Sequence, residues 1–264
     1  MNFMTDVIIQ VVNYNTKKYL DRCLESLLED LKNASFSFRI SLLDNDSNDD
    51  LKDLVEKYKN LAAISYYKNN KNVGFGAGHN ILAKKNNGKY ILVLNPDTEF
   101  IEEKTIERLY NHFLKNLKTK VVGPALITSE GEIQHWDHGE LKGPFVKLYA
   151  PWRKQTKLTK VAWVSGAVFF VEKEFFEKVG GFDENFFLYM EEVDLCLRIR
   201  QAGKEILYDP NIKVFHQGSV VAKKDKYLPV SIKYYLEKHF GKSGKLIYRV
   251  YWWYEFSVNK FYSN

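Results

Sequence analysis

The first half of the chain alternates between short apolar runs and segments whose apolar residues recur every three or four positions. Apolar runs bounded by polar turn residues are typical of strands buried on both faces of a parallel sheet. Such runs occupy residues 7–12, 38–43, 62–66 and 90–94. The periodic segments predict helices over residues 19–28, 51–58 and 77–85. This alternation predicts an α/β fold with a doubly wound, mostly parallel sheet.

The second half of the chain is less regular. Apolar runs predict strands over residues 121–127 and 163–171, and a short strand after the Asp-Pro pair at 209–210 that ends near His216. The polar and aromatic stretch between the first two, residues 128–160, is too long for an ordinary connection. It predicts a binding loop or a lid.

Short polar side chains follow three of the predicted strands, in the segments 13–15 (Asn-Tyr-Asn), 44–47 (Asp-Asn-Asp-Ser) and 95–97 (Asn-Pro-Asp). In a doubly wound sheet, ligands bind beyond the carboxyl ends of the strands. Turn formation explains any one of these segments, because Asn, Asp and Pro dominate turns. It is a poor explanation for all three together, so the pattern predicts a ligand site at this edge of the sheet.

A glycine-rich segment, residues 72–80, opens the helix that follows the third strand. Glycines at a helix start let backbone amides approach a phosphate group closely. The spacing matches neither the G-x-G-x-x-G dinucleotide fingerprint nor a P-loop. A tight turn explains the segment nearly as well, so both interpretations stay open.

Three carboxylates, Glu191, Glu192 and Asp194, stand at the start of a predicted helix, directly after an aromatic and glycine-rich turn. A single acid there would simply complement the helix dipole. Three acids after an aromatic turn predict a carboxylate held at a cleft edge to remove a proton, and hence an enzyme. Asp194 and Arg198 are four residues apart, so a helix-surface ion pair explains both of them.

Charge and composition narrow the partners. The 264 residues carry a net charge of +6, which favours a phosphorylated substrate, an anionic membrane or nucleic acid. Nucleic-acid binding leaves the polar strand ends unexplained, so we expect no nucleic-acid partner. Cys23 and Cys196 have neither disulfide nor zinc spacing, and no apolar run approaches the ~20 residues that span a bilayer. The expected location is the cytoplasm, either free or peripherally on the inner face of the cell membrane.

Taken in order, the segments at the strand ends, the glycine-rich segment, residues 163–167, 180–198 and 216–219 resemble glycosyltransferase family 2. The family consists of inverting enzymes with the GT-A fold, and the similarity is greatest to its rhamnosyltransferase-like branch. The resemblance covers roughly residues 6–220 in one collinear order. As a set, the motifs are specific for the family and much less specific for the sugar.

The resemblance implies a nucleotide-sugar site at the strand ends. Asn13, Asn15 and Asp44 would contact the nucleoside, with Asp44 accepting a hydrogen bond from a pyrimidine ring. The other implied donor contacts are Asn45, Gly74, Phe75, Gly76, Asn80, Asn95 and Asp97 around the nucleotide and diphosphate, and Gly166 and Ala167 along the donor sugar.

The resemblance also implies a divalent cation, Mg²⁺ or Mn²⁺, held on the diphosphate by Asp97 and His216. Without a family context a lone histidine such as His216 is more often structural. Asn95 stands where many GT-A enzymes carry the first Asp of an Asp-x-Asp motif, so metal ligation would rest mainly on Asp97 and His216.

The resemblance also implies a catalytic base, which in the family is usually the Asp of a Glu-Asp pair. Glu192 occupies that position with a longer side chain, so either the backbone compensates or Glu191 serves instead.

The implied activity is transfer of a sugar from a nucleotide diphosphate donor to a hydroxyl of a cell-surface glycan or lipid-linked acceptor. Rhamnose from dTDP-rhamnose is the expected donor, and a UDP-hexose is the alternative. A catalytically silent sugar-nucleotide-binding protein is the alternative of a different class.

The last forty or so residues are rich in aromatic residues interleaved with Lys and Arg. This composition suits the headgroup region of an anionic membrane. A helical cap with buried aromatics and a homodimer contact are the other two interpretations. We therefore predict a GT-A glycosyltransferase domain over residues 1–220 and a C-terminal helical extension over residues 221–264.

Overall fold

The computed structural model describes residues 4–134, 155–218, 220 and 224–262, with side chains of the last helix described from 226 to 249. The first half contains the strands β1 (Thr5–Asn13), β2 (Phe38–Asp44), β3 (Ile64–Lys68) and β4 (Gly88–Leu94). Between them lie the helices α1 (Lys17–Asp30), α2 (Lys52–Lys59) and α3 (Phe75–Lys85). All seven predicted elements are present.

The second half adds β5 (Thr98–Phe100), α4 (Thr105–Lys115), β6 (Thr119–Ile127), β7 (Thr159–Lys160), β8 (Val168–Glu172), α5 (Lys173–Lys178), α6 (Glu191–Gln201), β9 (Glu205–His216) and α7 (Lys224–Tyr262). Among the described residues, the strands form one nine-stranded sheet in the order β3-β2-β1-β4-β8-β6-β9-β5, with β7 paired to β9. The pairs among β1 to β4 are parallel, as is β6 with β9, whereas β8 is antiparallel to both of its neighbours. The predicted α/β fold is confirmed.

The hydrophobic core lies on both faces of the sheet. In β4, Leu92 and Leu94 pack into a cluster with α1 and α4, while Ile91 and Val93 pack into a second cluster with α5 and α6. Successive side chains of a strand point to opposite faces, so a strand covered on both sides must be apolar throughout. This is the physical origin of the continuous apolar runs in the sequence.

Two strand predictions differ from the structure. The run at 163–171 becomes a strand only from Val168, because residues 163–167 form a loop whose Ala167 carbonyl accepts a hydrogen bond from the Asn95 amide. The short strand expected after Pro210 is instead the end of a twelve-residue strand that contains this proline. Its pairing with β6 shifts register between Pro124 and Ala125, a bulge that accommodates a residue without an N–H group.

The helix α7 packs on the segment that carries the acidic residues. Its buried side chains join a hydrophobic cluster that consists of Phe186, Met190, Val193, Ile232, Tyr235, Leu236 and Ile247. The helix bends at Gly241, which has a left-handed φ of 55°. Over the part with described side chains, α7 covers the domain as a helical cap.

No helix in the described part of the chain is long and apolar enough to cross a membrane. The division at residue 220 stays a prediction.

Candidate active site

The carboxyl ends of β1, β2 and β4 meet the ends of β9 and of the turn before α6 around a cavity of about 440 Å³. Six of the predicted site residues line this cavity: Asn45, Gly74, Phe75, Asn95, Asp97 and His216. The remaining lining residues include Tyr14, Gln134, Phe187, Tyr189 and Tyr227, which the sequence analysis did not single out. The structure therefore brings together residues from segments that are far apart in the sequence.

Asn13 and Asp44 are fully buried and face each other in the register of β1 and β2. The Asn13 side chain donates to Ser47 Oγ (2.9 Å) and accepts from Thr16 Oγ1 (2.6 Å). Asp44 Oδ1 accepts from the Ser47 amide (2.9 Å), and its Oδ2 lies 3.4 Å from Lys68 Nζ. Both side chains are thus engaged in building the wall behind the cavity. Their contact with a nucleoside stays a prediction, as does that of Asn15.

Asn45 fixes the glycine-rich segment to the end of β2. Its amide nitrogen donates to Asn72 Oδ1 (2.9 Å) and to the Gly74 carbonyl (3.1 Å). Its amide oxygen accepts from Asn69 Nδ2 (2.9 Å) and from the Val73 amide (3.2 Å). A side chain with two donors and one acceptor oxygen is needed to make all four bonds. Asn45 therefore shapes this wall of the cavity.

Gly74 is required by its surroundings. Its φ is 88°, and a Cβ at this position would lie 2.3 Å from the Phe187 carbonyl oxygen. The same oxygen accepts a hydrogen bond from the Phe75 amide (3.0 Å), so the start of α3 is joined to the turn before α6. A helix N-terminus at the cavity wall presents partial positive charge to an anionic ligand.

Asn80 and Gly76 lie behind the cavity rather than in its wall. The Asn80 side chain donates to the Phe182 carbonyl (2.8 Å) and accepts from the Phe182 amide (3.0 Å). A Cβ at Gly76 would lie 2.9 Å from the Phe182 side chain and 3.6 Å from that of Glu191. Both residues allow the turn after α5 to pack closely on α3. Direct donor contacts by them stay predictions.

Asp97 and His216 form a pair at the cavity floor. Strand β5 pairs with β9 so that Thr98 lies opposite His216, which brings the two side chains together. Asp97 and His216 are 9% and 8% exposed, and Asp97 Oδ1 lies 3.6 Å from His216 Nε2. The other Asp97 oxygen accepts from the Gly218 amide (3.0 Å). Asp97 Oδ1 and His216 Nε2, the two atoms that could bind a metal, thus face each other.

The chemistry of this pair suits a divalent cation. Burial lowers the pKa of His216, although the Asp97 carboxylate opposes that shift, and the lowered pKa favours the neutral imidazole that metal ligation requires. No group of three or more His, Cys, Asp or Glu side chains able to hold a metal occurs in the described ranges. Two protein ligands are enough when diphosphate oxygens and water complete the coordination sphere.

Within the described ranges, no cationic side chain pairs with either of the two glutamates at the start of α6. Glu191 is 3% exposed, its Oε2 has no hydrogen-bond partner among the described residues, and burial together with Glu192 raises its pKa well above the usual range. Glu192 is half-buried, and desolvation raises its pKa to about 7. A carboxyl group with a pKa near neutrality is suited to general base catalysis.

The backbone before these glutamates is strained. Tyr189 and Met190 both have left-handed φ values, 70° and 72°, which are costly for residues with large side chains. Met190 is buried against α7, and Ser231 Oγ of the same helix donates to the Leu188 carbonyl (2.8 Å). These contacts hold the turn, and the turn sets the direction in which α6 and its acids begin.

Asp194 lies one residue beyond Val193 and has the opposite surroundings. It is fully buried and accepts hydrogen bonds from Arg198 (2.9 Å), Lys238 (2.6 Å) and His239 (2.7 Å). Burial opposes ionisation, but these donors prevail and lower the pKa of Asp194. Lys238 also pairs with Asp183 (2.7 Å). The predicted Asp194–Arg198 ion pair is present and belongs to a larger network that fixes α7 to α6.

With this geometry established, the comparisons with known proteins identify the family. Residues 7–180 match the model of "Glycosyl transferase family 2". The chain belongs to this family. It is therefore a glycosyltransferase, as the sequence analysis predicted.

Curated family 2 relatives include two rhamnosyltransferases. The chain is 27% identical to Rhamnosyltransferase WbbL of Escherichia coli over 80% of its own length and 83% of that protein. It is 28% identical to N-acetylglucosaminyl-diphospho-decaprenol L-rhamnosyltransferase of Mycobacterium tuberculosis, over 81% of its own length and 76% of that protein.

Solved structures share the fold of this glycosyltransferase. The mannosyltransferase PcManGT of Pyrobaculum calidifontis, in complex with GDP-Man and Mn²⁺, superposes with a TM-score of 0.63 at 16% identity over 94% of this chain and 69% of that chain. S. aureus TarS in complex with UDP gives a TM-score of 0.62 at 16% identity over 88% of this chain, which spans 64% of that one. The GT-A fold is thereby confirmed.

The loop at 163–167 lies between Glu192 and the cavity-lining Phe75. A Cβ at Gly166 would lie 3.3 Å from the Phe75 ring, which lines the cavity, and 3.9 Å from the Glu192 side chain. Ala167 is buried, and its carbonyl fixes Asn95. Gly166 therefore separates Glu192 from Phe75 with little space to spare. Donor-sugar contacts by these two loop residues stay predictions.

The sequence assigns no role to Gln134 and no partner to Ser47. Gln134 contacts His216 through both its amide oxygen and its amide nitrogen. Its one sequence signal was its place in the predicted binding loop at 128–160, most of which lies outside the described residues. Ser47 was noted within its polar segment, but its bond to the Asn13 side chain depends on the register of two strands.

Proposed function

We propose that this glycosyltransferase moves a sugar, with inversion, from a nucleotide diphosphate donor to an acceptor hydroxyl, and that Glu192 is the base. The observation that carries the proposal is the half-buried Glu192 carboxyl, whose pKa is raised to about 7, separated from the cavity-lining Phe75 ring by the side-chain-free Gly166. A base at this place would act on an acceptor bound at the mouth of the donor cavity.

The donor diphosphate would lie in the cavity, between the start of α3 and the Asp97–His216 pair. These two residues would hold Mg²⁺ or Mn²⁺, and a bound cation would offset the negative charge that builds on the departing nucleoside diphosphate. The Mn²⁺ and GDP-Man of the PcManGT structure support this assignment.

The reaction would be a single displacement. Glu192 accepts the proton of the acceptor hydroxyl while that oxygen forms a bond to the anomeric carbon. The bond between this carbon and the diphosphate oxygen breaks on the opposite face, and its electron pair leaves with the nucleoside diphosphate. Burial and the neighbouring Glu192 raise the pKa of Glu191 well above its usual range, and this shift favours a protonated Glu191 that would not compete for the proton.

dTDP-rhamnose is the proposed donor and a lipid-linked glycan the proposed acceptor. Both follow from the rhamnosyltransferases among the relatives, one of which is named for a diphospho-decaprenol-linked sugar. Such an acceptor would place the enzyme on the inner face of the cell membrane, with the basic, aromatic end of the chain at the lipid surface. A homodimer contact is the alternative for that end. A UDP-hexose is the second candidate donor, supported by the UDP complex of TarS.

Glu192→Gln tests the base. We expect transfer of rhamnose to a polyprenyl-diphosphate N-acetylglucosamine acceptor to fall by about 10²–10⁴-fold, because a general base is lost while the shape of the side chain is kept. Binding of dTDP should change little. The matched control is Glu191→Gln, which imitates the neutral state of Glu191 and should keep activity within a few fold of wild type. Full transfer by the Glu192 variant, or the reverse order of the two variants, contradicts the assignment.

A panel of nucleotides tests the donor. With Mn²⁺ present, dTDP should raise the melting temperature most if the donor is dTDP-rhamnose, because binding to the native state alone stabilises it. The largest shift with UDP would assign the second candidate donor instead. Chelation of the metal should remove most of the shift, and oligonucleotides should produce none. Stabilisation by oligonucleotides but not by any nucleoside diphosphate would refute a sugar-nucleotide site.

A further inference from the structure

Gln134 holds the ring and the backbone of His216 at the same time. Its amide nitrogen donates to the His216 carbonyl oxygen at 2.7 Å, and its amide oxygen lies 2.9 Å from His216 Nδ1. A carbonyl oxygen can only accept, so the amide nitrogen must face it. The orientation of the Gln134 amide is therefore fixed by the chain itself.

This orientation determines which ring nitrogen carries the proton. An amide oxygen facing Nδ1 requires Nδ1 to donate, and in a neutral imidazole the other nitrogen, Nε2, then has a lone pair and no proton. The distance from Nε2 to Asp97 Oδ1, 3.6 Å, agrees, because it is longer than an N–H···O hydrogen bond. Nε2 thus does not donate to Asp97.

We propose that Gln134 is a positioning residue that keeps His216 in the Nδ1–H form, so that Nε2 and Asp97 Oδ1 face one position as two ligand atoms. The proposal rests on the cation site of the proposed function. In the other tautomer, Nε2–H would point at Asp97 and hydrogen-bond to it. That bond would consume both ligand atoms at once.

The backbone around Gln134 is built to hold this contact. Its amide donates to the Leu126 carbonyl (2.7 Å), next to the bridge between Ile127 and Ile133. On the other side, the Gly218 amide occupies Asp97 Oδ2, which leaves Oδ1 directed at the imidazole. Partners of this kind behind a metal ligand typically change metal affinity 10–100-fold when they are removed.

Two variants separate the hydrogen bond from packing. Gln134→Met keeps the length of the side chain and removes both bonds, whereas Gln134→Glu keeps an acceptor for Nδ1–H, loses the bond to the His216 carbonyl and adds a negative charge beside the ring. Titration of Mn²⁺ into protein with saturating dTDP, followed by the electron paramagnetic resonance of free Mn²⁺, measures affinity without turnover. We expect a loss of about 10–100-fold for the Met variant and no loss for the Glu variant, because a carboxylate bonded to Nδ1–H also raises the basicity of the ring.

A second measurement on metal-free protein reads the tautomer directly. Long-range ¹H–¹⁵N spectra of labelled imidazole at pH 8 should assign His216 as Nδ1–H in wild type and in the Glu variant, and no longer predominantly so in the Met variant. An Nε2–H form in wild type overturns the proposal, as does unchanged Mn²⁺ affinity in a folded Met variant. If wild type and His216→Ala bind Mn²⁺ equally, the cation site itself fails, while the spectra still decide the role of Gln134 in the tautomer.

Discussion

The first turn of α6 places acidic side chains in two opposite environments. Glu191 and Glu192 have no cationic partner among the described residues, and their pKa values are raised. Asp194, two residues beyond Glu192, is fully buried but accepts hydrogen bonds from the side chains of Arg198, Lys238 and His239, and its pKa is lowered. The difference is produced by partners, since burial alone would raise all three pKa values.

Within a single helical turn, this contrast distinguishes carboxylates suited to proton transfer from a carboxylate that stabilises the fold. An acid without a partner is poised to exchange a proton, which is useful for catalysis and unfavourable for stability. An acid with several donors is locked in its ionised form and serves to hold elements together. The proposed base and the structural carboxylate therefore cannot exchange roles, although at most two residues lie between Glu191 or Glu192 and Asp194.

The largest expected effect on stability comes from Asp194→Asn. The change leaves Arg198, Lys238 and His239 without the carboxylate that compensates them, and breaking a buried charge network costs about 3–5 kcal/mol. Urea unfolding of the purified variant measures the loss. Asp183→Asn is the matched control, because Lys238 then keeps Asp194 and the loss should be much smaller. Equal losses in both variants would mean that the buried network is not centred on Asp194.

The next effect concerns the other side of the contrast, the pH dependence of transfer. Glu192 must be ionised to accept a proton, and its pKa is about 7. We therefore expect kcat/KM to rise with pH and level off above 7, falling about tenfold for each unit below.

Glu191→Gln is the control for this profile. Burial raises the pKa of Glu191 well above its usual range, so the uncharged Gln side chain imitates the favoured protonated form and the fall in kcat/KM at low pH should keep its position. If the fall in kcat/KM of the Glu191→Gln variant moved to about pH 4.5, the range of an ordinary carboxyl group, burial of Glu192 would not be what raises the pKa of the base.

Those parts of the site and of the Asp194 network that depend on local spacing could be predicted from the sequence. The Asp194–Arg198 pair is four residues apart on one helix, and the strand ends follow from continuous apolar runs, so both were predictable. Lys238, His239 and Gln134 were not. Their partners lie more than forty residues away, and the contacts exist only after α7 and β6 have packed onto the rest of the sheet. Pro210 inside β9 misled for the same reason, because a bulge in the pairing with β6 accommodates it.

The smallest effect sharpens how the Asp194 network is divided. His239 Nε2 and Lys238 Nζ bond to the same oxygen of Asp194, at 2.7 Å and 2.6 Å. His239→Leu removes one donor and leaves the other, so we expect a loss of about 1.5 kcal/mol, at the low end for hydrogen bonds to charged groups. His239→Gln retains a donor of similar reach and should lose less, again by urea unfolding. Equal losses for Leu and Gln would assign the contribution of His239 to its packing on the Tyr235 ring, 4.7 Å away, rather than to the bond.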